Sequence, residues 1–172
     1  KSARELLRLA LDKSDEKTPI EDLNSARYYL CFLAWDAGEY YDAAVLGEFL
    51  ATHYPDTPSG QQGAKIALAA FVRLLTEAPE GARQFEQASL ERIAGWIFKR
   101  WPNQVESDEA ALTLLNLAAS QHDVDRAMGF LEKISKDSPR RGGAELRAGQ
   151  SLWASYLRAS RATEDQRLPQ EK

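Results

Sequence analysis

Three prolines limit what this chain can fold into. Pro55, Pro102 and Pro139 follow Tyr54, Trp101 and Ser138, each at the end of a segment whose apolar residues recur at three- and four-residue spacing. Proline has no N–H to donate and its ring clashes with the preceding turn, so each of these sites stops a helix. Between the stops the helical period continues almost unbroken. There is no sustained two-residue alternation and no Asn-Gly turn, so strands are not expected. The intervals from Pro55 to Pro102 and from Pro102 to Pro139 are 47 and 37 residues. Each interval is long enough for two helices and a turn. The expectation is an all-α chain of antiparallel helix hairpins.

The periodicity and the punctuation between apolar runs predict eight helices. The first covers Ser2–Ser14, with Leu6, Leu7, Ala10 and Leu11 in one stripe. The second opens at Thr18-Pro19-Ile20-Glu21, where Thr18 and Glu21 have the spacing of a capping box and Pro19 suits a first turn. It closes at Gly38, a residue able to take the left-handed conformation past a helix end. The third runs from Glu39 to His53, the fourth from Gln61 to Thr76 and the fifth from Gly81 to Arg100. The sixth, Ser107–Gln121, is expected to be capped by Ser107, with Asp108 and Glu109 at the positive end of its dipole. The seventh spans Val124–Lys136 and the eighth Ala144 to about Arg161. Arg140-Arg141-Gly142-Gly143 reads as a flexible connector with solvated arginines, and the tail from Ala162 as polar and frayed.

Residues 25–58 carry the spacing of one known repeat. Counted back from Pro55, Ala43 stands where two helix backbones approach, Leu30 and Cys31 take the Leu-Gly pair, and Gly38 and Tyr40 form the turn. This stretch resembles a tetratricopeptide repeat. It departs from that pattern at Arg27, Ala34 and Gly47, where Trp, Tyr and Phe are usual. Leu114, Ala118, Ala127, Leu131 and Pro139 repeat the resemblance, with Leu115 in place of Gly. The middle hairpin matches least, with Leu90 where Ala is usual. Ala148, Gly149 and Leu152 look like half of a further repeat. The hairpin ending in Tyr54-Pro55 is also similar to divergent repeats of bacterial envelope-assembly scaffolds. The resemblance implies a right-handed superhelix, or solenoid, of hairpins over residues 18–58, 59–105 and 106–139. Terminal helices at 2–14 and 144–161 flank these hairpins, all in one domain.

Charge and motifs narrow the function. The 172 residues hold 22 basic and 26 acidic side chains, a formal net charge of −4. Nucleic-acid binding, which normally shows as a basic face, is not expected, and neither is direct membrane insertion, because no apolar run reaches the ~20 residues a span requires. Chain start at Lys1 suggests a processed chain or a piece of a larger protein, which leaves cytoplasm and cell envelope both open. The single cysteine, Cys31, cannot form an internal disulfide and reads as a buried apolar residue. No nucleophile elbow, phosphate loop or zinc spacing occurs. His122-Asp123, with Asp125 nearby, reads as a polar turn, and His53 as a helix-end residue. No catalytic residue, metal or cofactor is expected.

What remains is binding. In tetratricopeptide arrays the first helix of each hairpin lines a concave groove. By position, the resemblance assigns to that groove Tyr28, Phe32 and Trp35, then Arg73, then Asn116, then Arg147, Gln150 and Trp153. The implied function is a scaffold that binds a peptide or protein segment. The alternative is a structural spacer in a longer repeat array, in which the aromatics of the second helix are core. Leu30, Cys31, Ala43 and Leu50 are expected to be buried.

Overall fold

A computed structural model of the protein describes residues 2–165, with side chains through Arg161. The tail residues 166–172 lie outside the described residues. Among those described, the fold is all-α, with eight helices: α1 (Ala3–Asp12), α2 (Ile20–Asp36), α3 (Tyr40–His53), α4 (Pro58–Glu77), α5 (Arg83–Arg100), α6 (Val105–Ser120), α7 (Val124–Lys133) and α8 (Arg141–Asp165). Within α1–α5 and within α6–α8, packing is mostly sequential, each helix against its neighbour along the chain. The chain divides into two compact units at the Trp101-Pro102 stop: α1–α5 form unit 1 and α6–α8 form unit 2.

In unit 1, α2 packs on α1, α3 and α4, and α4 packs on α3 and α5. Gly38 adopts φ +76°, and the two hydrogen bonds of a Schellman motif close α2: Gly38 N–H donates to the Trp35 carbonyl at 3.1 Å and Glu39 N–H to that of Ala34 at 2.9 Å. This turn folds α3 back so that Ala43, Leu50 and Cys31 become fully enclosed and Leu30 nearly so. The Cys31 thiol donates to the Ala43 carbonyl at 3.3 Å, and burial pushes its pKa up to about 12. Full burial of Leu50 alone contributes roughly 1.5–3 kcal/mol.

The tightest packing is between α3 and α4. A Cβ at Gly47 would stand 2.5 Å from the Gly63 carbonyl oxygen, and one at Gly63 would stand 2.9 Å from the Leu50 Cβ. Gly47, an exception to the repeat pattern, is therefore where two helix backbones touch. Ala64 and Ala67 keep the same seam narrow.

Three polar bridges join α3 and its following turn to α5. Tyr41 donates to Glu86, Arg92 grips Glu48 with two hydrogen bonds of 2.8 and 2.9 Å, and Arg100 pairs with Asp56. Their sequence offsets are 45, 44 and 44 residues. A nearly constant offset from the start of α3 to the turn after it means that α3 and α5 run parallel and in register. The bond to the fully buried Glu86 raises the Tyr41 pKa above its ordinary value of 10.0, with desolvation adding to the effect.

In unit 2, α7 packs on α6 and α8, and α6 also touches α8. Ala110, Ala111, Leu114, Leu115, Ala127, Ile134, Ala144 and Ala148 form its core. The buried Asp108 carboxylate accepts the Ser135 backbone N–H at 2.9 Å and fixes the end of α7 against α6.

Several local expectations are corrected. Thr18 and Glu21 form no capping box: Thr18 bonds to Asp15 instead, and the N-cap of α2 is Pro19. The capping box belongs to Ser2 and Glu5, one helix earlier. Ser107 is not the cap of α6, which starts at Val105, so Ser107 is a buried residue of the first turn. Arg140 to Gly143 is no solvated connector. Arg140 pairs with Glu109, Arg141 donates to the Leu131 and Ile134 carbonyls at 2.8 Å each, and both glycines lie in the first turn of α8. These bonds satisfy carbonyls at the end of α7, which favours order over flexibility. The stripe expected on the first helix is only partly covered: Leu7 and Leu11 are half-buried, whereas Leu6 and Ala10 are exposed.

Candidate functional site

The eight residues assigned to a groove fall into two groups. Tyr28, Phe32, Trp35 and Arg73 belong to unit 1, and Asn116, Arg147, Gln150 and Trp153 to unit 2. Each group is described in its own unit.

On α2, Tyr28, Phe32 and Trp35 follow i, i+4, i+7 spacing and share one stripe. Phe32 is exposed, and Tyr28 and Trp35 are half-buried. The Trp35 ring lies against Tyr40, the first residue of α3, with centroids 5.3 Å apart, and the Arg73 guanidinium of α4 lies 5.9 Å from the Tyr40 ring centre. Arg73 also reaches Glu77 at 3.9 Å. Trp35 and Arg73 are thus brought together on Tyr40 at the corner between α2, α3 and α4. Phe32 is not part of that stack. A separate cavity of about 350 Å³ between α1, α2 and α3 is lined by Leu30, Ala34, Val45 and Leu46 together with Arg4, Arg8, Glu39 and Asp42. Arg4 is already committed there, paired with Glu39 at 2.7 Å and donating to the Leu33 carbonyl.

Unit 2 holds the more polar cleft. Asn116 of α6 and Arg147 and Gln150 of α8 line one cavity of about 390 Å³, together with Ala119, Ser120, His122, Ser151 and Ala154. Trp153 is not among the lining residues. It points off this cleft, 60% exposed, and its ring stacks on Tyr156 at 5.7 Å. The polar atoms converge from three directions: an amide from α6, an imidazole from the α6–α7 turn, and a guanidinium, an amide and a hydroxyl from α8. Ser151 is buried, and its Oγ has no hydrogen-bond partner within the protein. A buried hydroxyl without a partner costs roughly 1–3 kcal/mol unless something supplies one.

Two cleft residues were not expected from the sequence. His122 sits at φ +62° and occupies the Schellman position of α6, where glycine is usual. Its N–H donates to the Ala119 carbonyl at 3.1 Å, and the next N–H, of Asp123, donates to that of Ala118 at 2.9 Å. The left-handed conformation turns the imidazole into the cleft, and Asp123 then caps α7. Ser151 continues the small-residue face of Ala144 and Ala148, and a hydroxyl in that otherwise apolar run was the available signal.

Among the described residues no group of three His, Cys, Asp or Glu side chains is arranged to hold a metal ion, and no helix is long and apolar enough to cross a membrane. No protein-family model matches the chain, and no curated protein or solved structure is significantly similar to it. The cleft is therefore read from its own chemistry.

Proposed function

We propose that the chain is a non-catalytic interaction module, an array of antiparallel helix hairpins of the tetratricopeptide-like kind, and that it binds a peptide or extended protein segment in a concave groove. The observation that carries this reading is the cleft between α6 and α8. Asn116 and Gln150 each offer an acceptor and two donors, which suits a peptide backbone, and Arg147 presents a planar fork suited to a carboxylate. His122 adds weight: a glycine at its position would relieve backbone strain, and the imidazole that stands there instead faces the cleft.

Packing supports the array. The first helices of successive pairs touch each other, α2 with α4 and α6 with α8, as expected of hairpins stacked in series. The register offset of 44–45 residues between α3 and α5 exceeds the ~34 of a regular tetratricopeptide repeat. The excess fits the length of the middle pair, since α4 and α5 have 20 and 18 residues against 17 and 14 for α2 and α3.

Random peptides with free C-terminal carboxylates, selected on the full chain and then measured by fluorescence anisotropy, test the proposal. Arg147→Ala and Asn116→Ala should each weaken selected peptides at least about tenfold, equivalent to ~1.4 kcal/mol, with helix content unchanged. Failure to enrich any peptide, or binding indifferent to both substitutions, would reject it.

A further inference from the structure

The outward face of α8 leaves several large apolar side chains exposed. Leu146, Trp153 and Leu157 stand at i, i+7 and i+11 and form one stripe, opposite the buried Ala144, Ala148 and Ser151. Leu146 is 65% exposed and Trp153 60%, and Tyr156, on the edge of the stripe, stacks on Trp153. A run of large apolar side chains left in water on one helix face marks an interaction surface.

Charge indicates what covers it. From Leu146 to Arg161 there is no aspartate or glutamate, while Arg147, Arg158 and Arg161 occur at i, i+11 and i+14 and share one flank of the stripe. Five arginines elsewhere are paired with a carboxylate, Arg4 with Glu39, Arg92 with Glu48, Arg100 with Asp56, Arg140 with Glu109 and Arg141 with Glu145. Among the described residues, Arg147, Arg158 and Arg161 have no such carboxylate. In a chain of net charge −4, this is a local basic edge beside an apolar stripe. Between Leu146 and Arg161, a second copy of the chain presenting the same face would bring no carboxylate to these arginines. Paired antiparallel, it would set arginine flank against arginine flank.

We propose that this face docks an acidic amphipathic helix of another protein, with apolar residues seated on Leu146, Trp153 and Leu157 and carboxylates along the Arg147–Arg158–Arg161 edge. The stripe from Leu146 to Leu157 is about 16 Å long, roughly three turns, the usual reach of a helix read through i, i+4, i+7 anchors. Trp153 is the central anchor, and the arginines set orientation and on-rate. This surface overlaps the α6–α8 cleft at Arg147 alone, and Asn116, Gln150 and Ser151 do not belong to it.

The probe is a labelled synthetic helix with leucines at i, i+4, i+7 and i+11 and glutamates along one flank, against the same helix with lysines for glutamates. Anisotropy with the full chain should show the glutamate helix binding at least about tenfold tighter. Arg158→Glu combined with Arg161→Glu should reverse that order. Trp153→Ala should weaken binding at least about tenfold, while Asn116→Ala leaves it unchanged, which separates this result from the cleft. Equal affinity for the two helices, or binding of neither, overturns the proposal. A concentration-dependent dimer dispersed by Trp153→Ala overturns it in favour of a second copy. A large fall in melting temperature for Trp153→Ala overturns it by showing that the chain covers this face itself.

Discussion

Replacing Gly47 by alanine tests the α3–α4 seam on which unit 1 is built. In an open helix position the change would stabilise by up to ~1 kcal/mol through helix propensity. Here the new methyl would meet the Gly63 carbonyl oxygen at 2.5 Å and both the backbone N and the Cβ of Ala67 at 3.0 Å. An ordinary C···O approach is about 3.3 Å, so the helices must part by several tenths of an ångström. The obstacle is backbone and cannot rotate away. Overpacking of this kind costs about 1–3 kcal/mol, and a backbone obstacle lies at the upper end. After the propensity gain, the expected net loss is about 1–2 kcal/mol. Gly95→Ala is the internal control. Gly95 is an exposed residue of α5 whose added Cβ meets nothing within 4 Å, so the same substitution should stabilise by about 0.5–1 kcal/mol. Guanidinium unfolding followed by tryptophan fluorescence reads the difference, since Trp35, Trp96 and Trp101 all report on unit 1. A Gly47→Ala protein as stable as Gly95→Ala would refute the close crossing.

Four further outcomes are expected. Ala43→Leu should cost about 1–3 kcal/mol by overpacking the α2–α3 contact, read in the same unfolding assay. Trp35→Ala should cost about 2 kcal/mol, roughly half the loss for a fully buried aromatic, because Trp35 is half-buried against Tyr40. Cys31 should resist alkylation in the folded protein at pH 8 and react on unfolding. Its folded pKa of about 12 lies above the ordinary 9.0, so its contribution is full below pH 9 and lost as pH rises towards 12, and Cys31→Ala should flatten that alkaline slope. His122→Gly should raise stability by about 0.5–1 kcal/mol in thermal melts by relieving the left-handed backbone while removing the imidazole from the cleft.

Much of the fold was legible because helices announce themselves through period and punctuation. Gly38, Pro55 and Pro102 bounded the helices, whereas α7 ends at Lys133, short of the expected Lys136 and well before Pro139, and the burial of Leu30, Cys31, Ala43 and Leu50 followed from their spacing. The Gly47–Gly63 seam was not legible. A glycine inside a helix reads as a weakness until the facing helix is known, and its partner lies across a turn. The caps at Thr18 and Ser107 misled for a related reason: short polar side chains can bond locally in several ways, and tertiary packing decides which. Of the assigned site, Asn116, Arg147 and Gln150 do share one cleft, since equivalent positions on α6 and α8 face each other. Trp153 lies one turn beyond Gln150 but rotated away, which the repeat pattern did not distinguish. Ser151 and His122 were hidden, one in a small-residue run and the other in a turn read only as a connection.

The central claim, that the α6–α8 cleft holds a peptide, is tested most directly by nuclear magnetic resonance. Amide chemical shifts of the full chain would be followed during titration with a selected carboxylate-terminated peptide. The account predicts the largest saturable shifts at Asn116, Ser120, His122, Arg147, Gln150 and Ser151. Shifts confined to unit 1, or scattered without saturation, would contradict it.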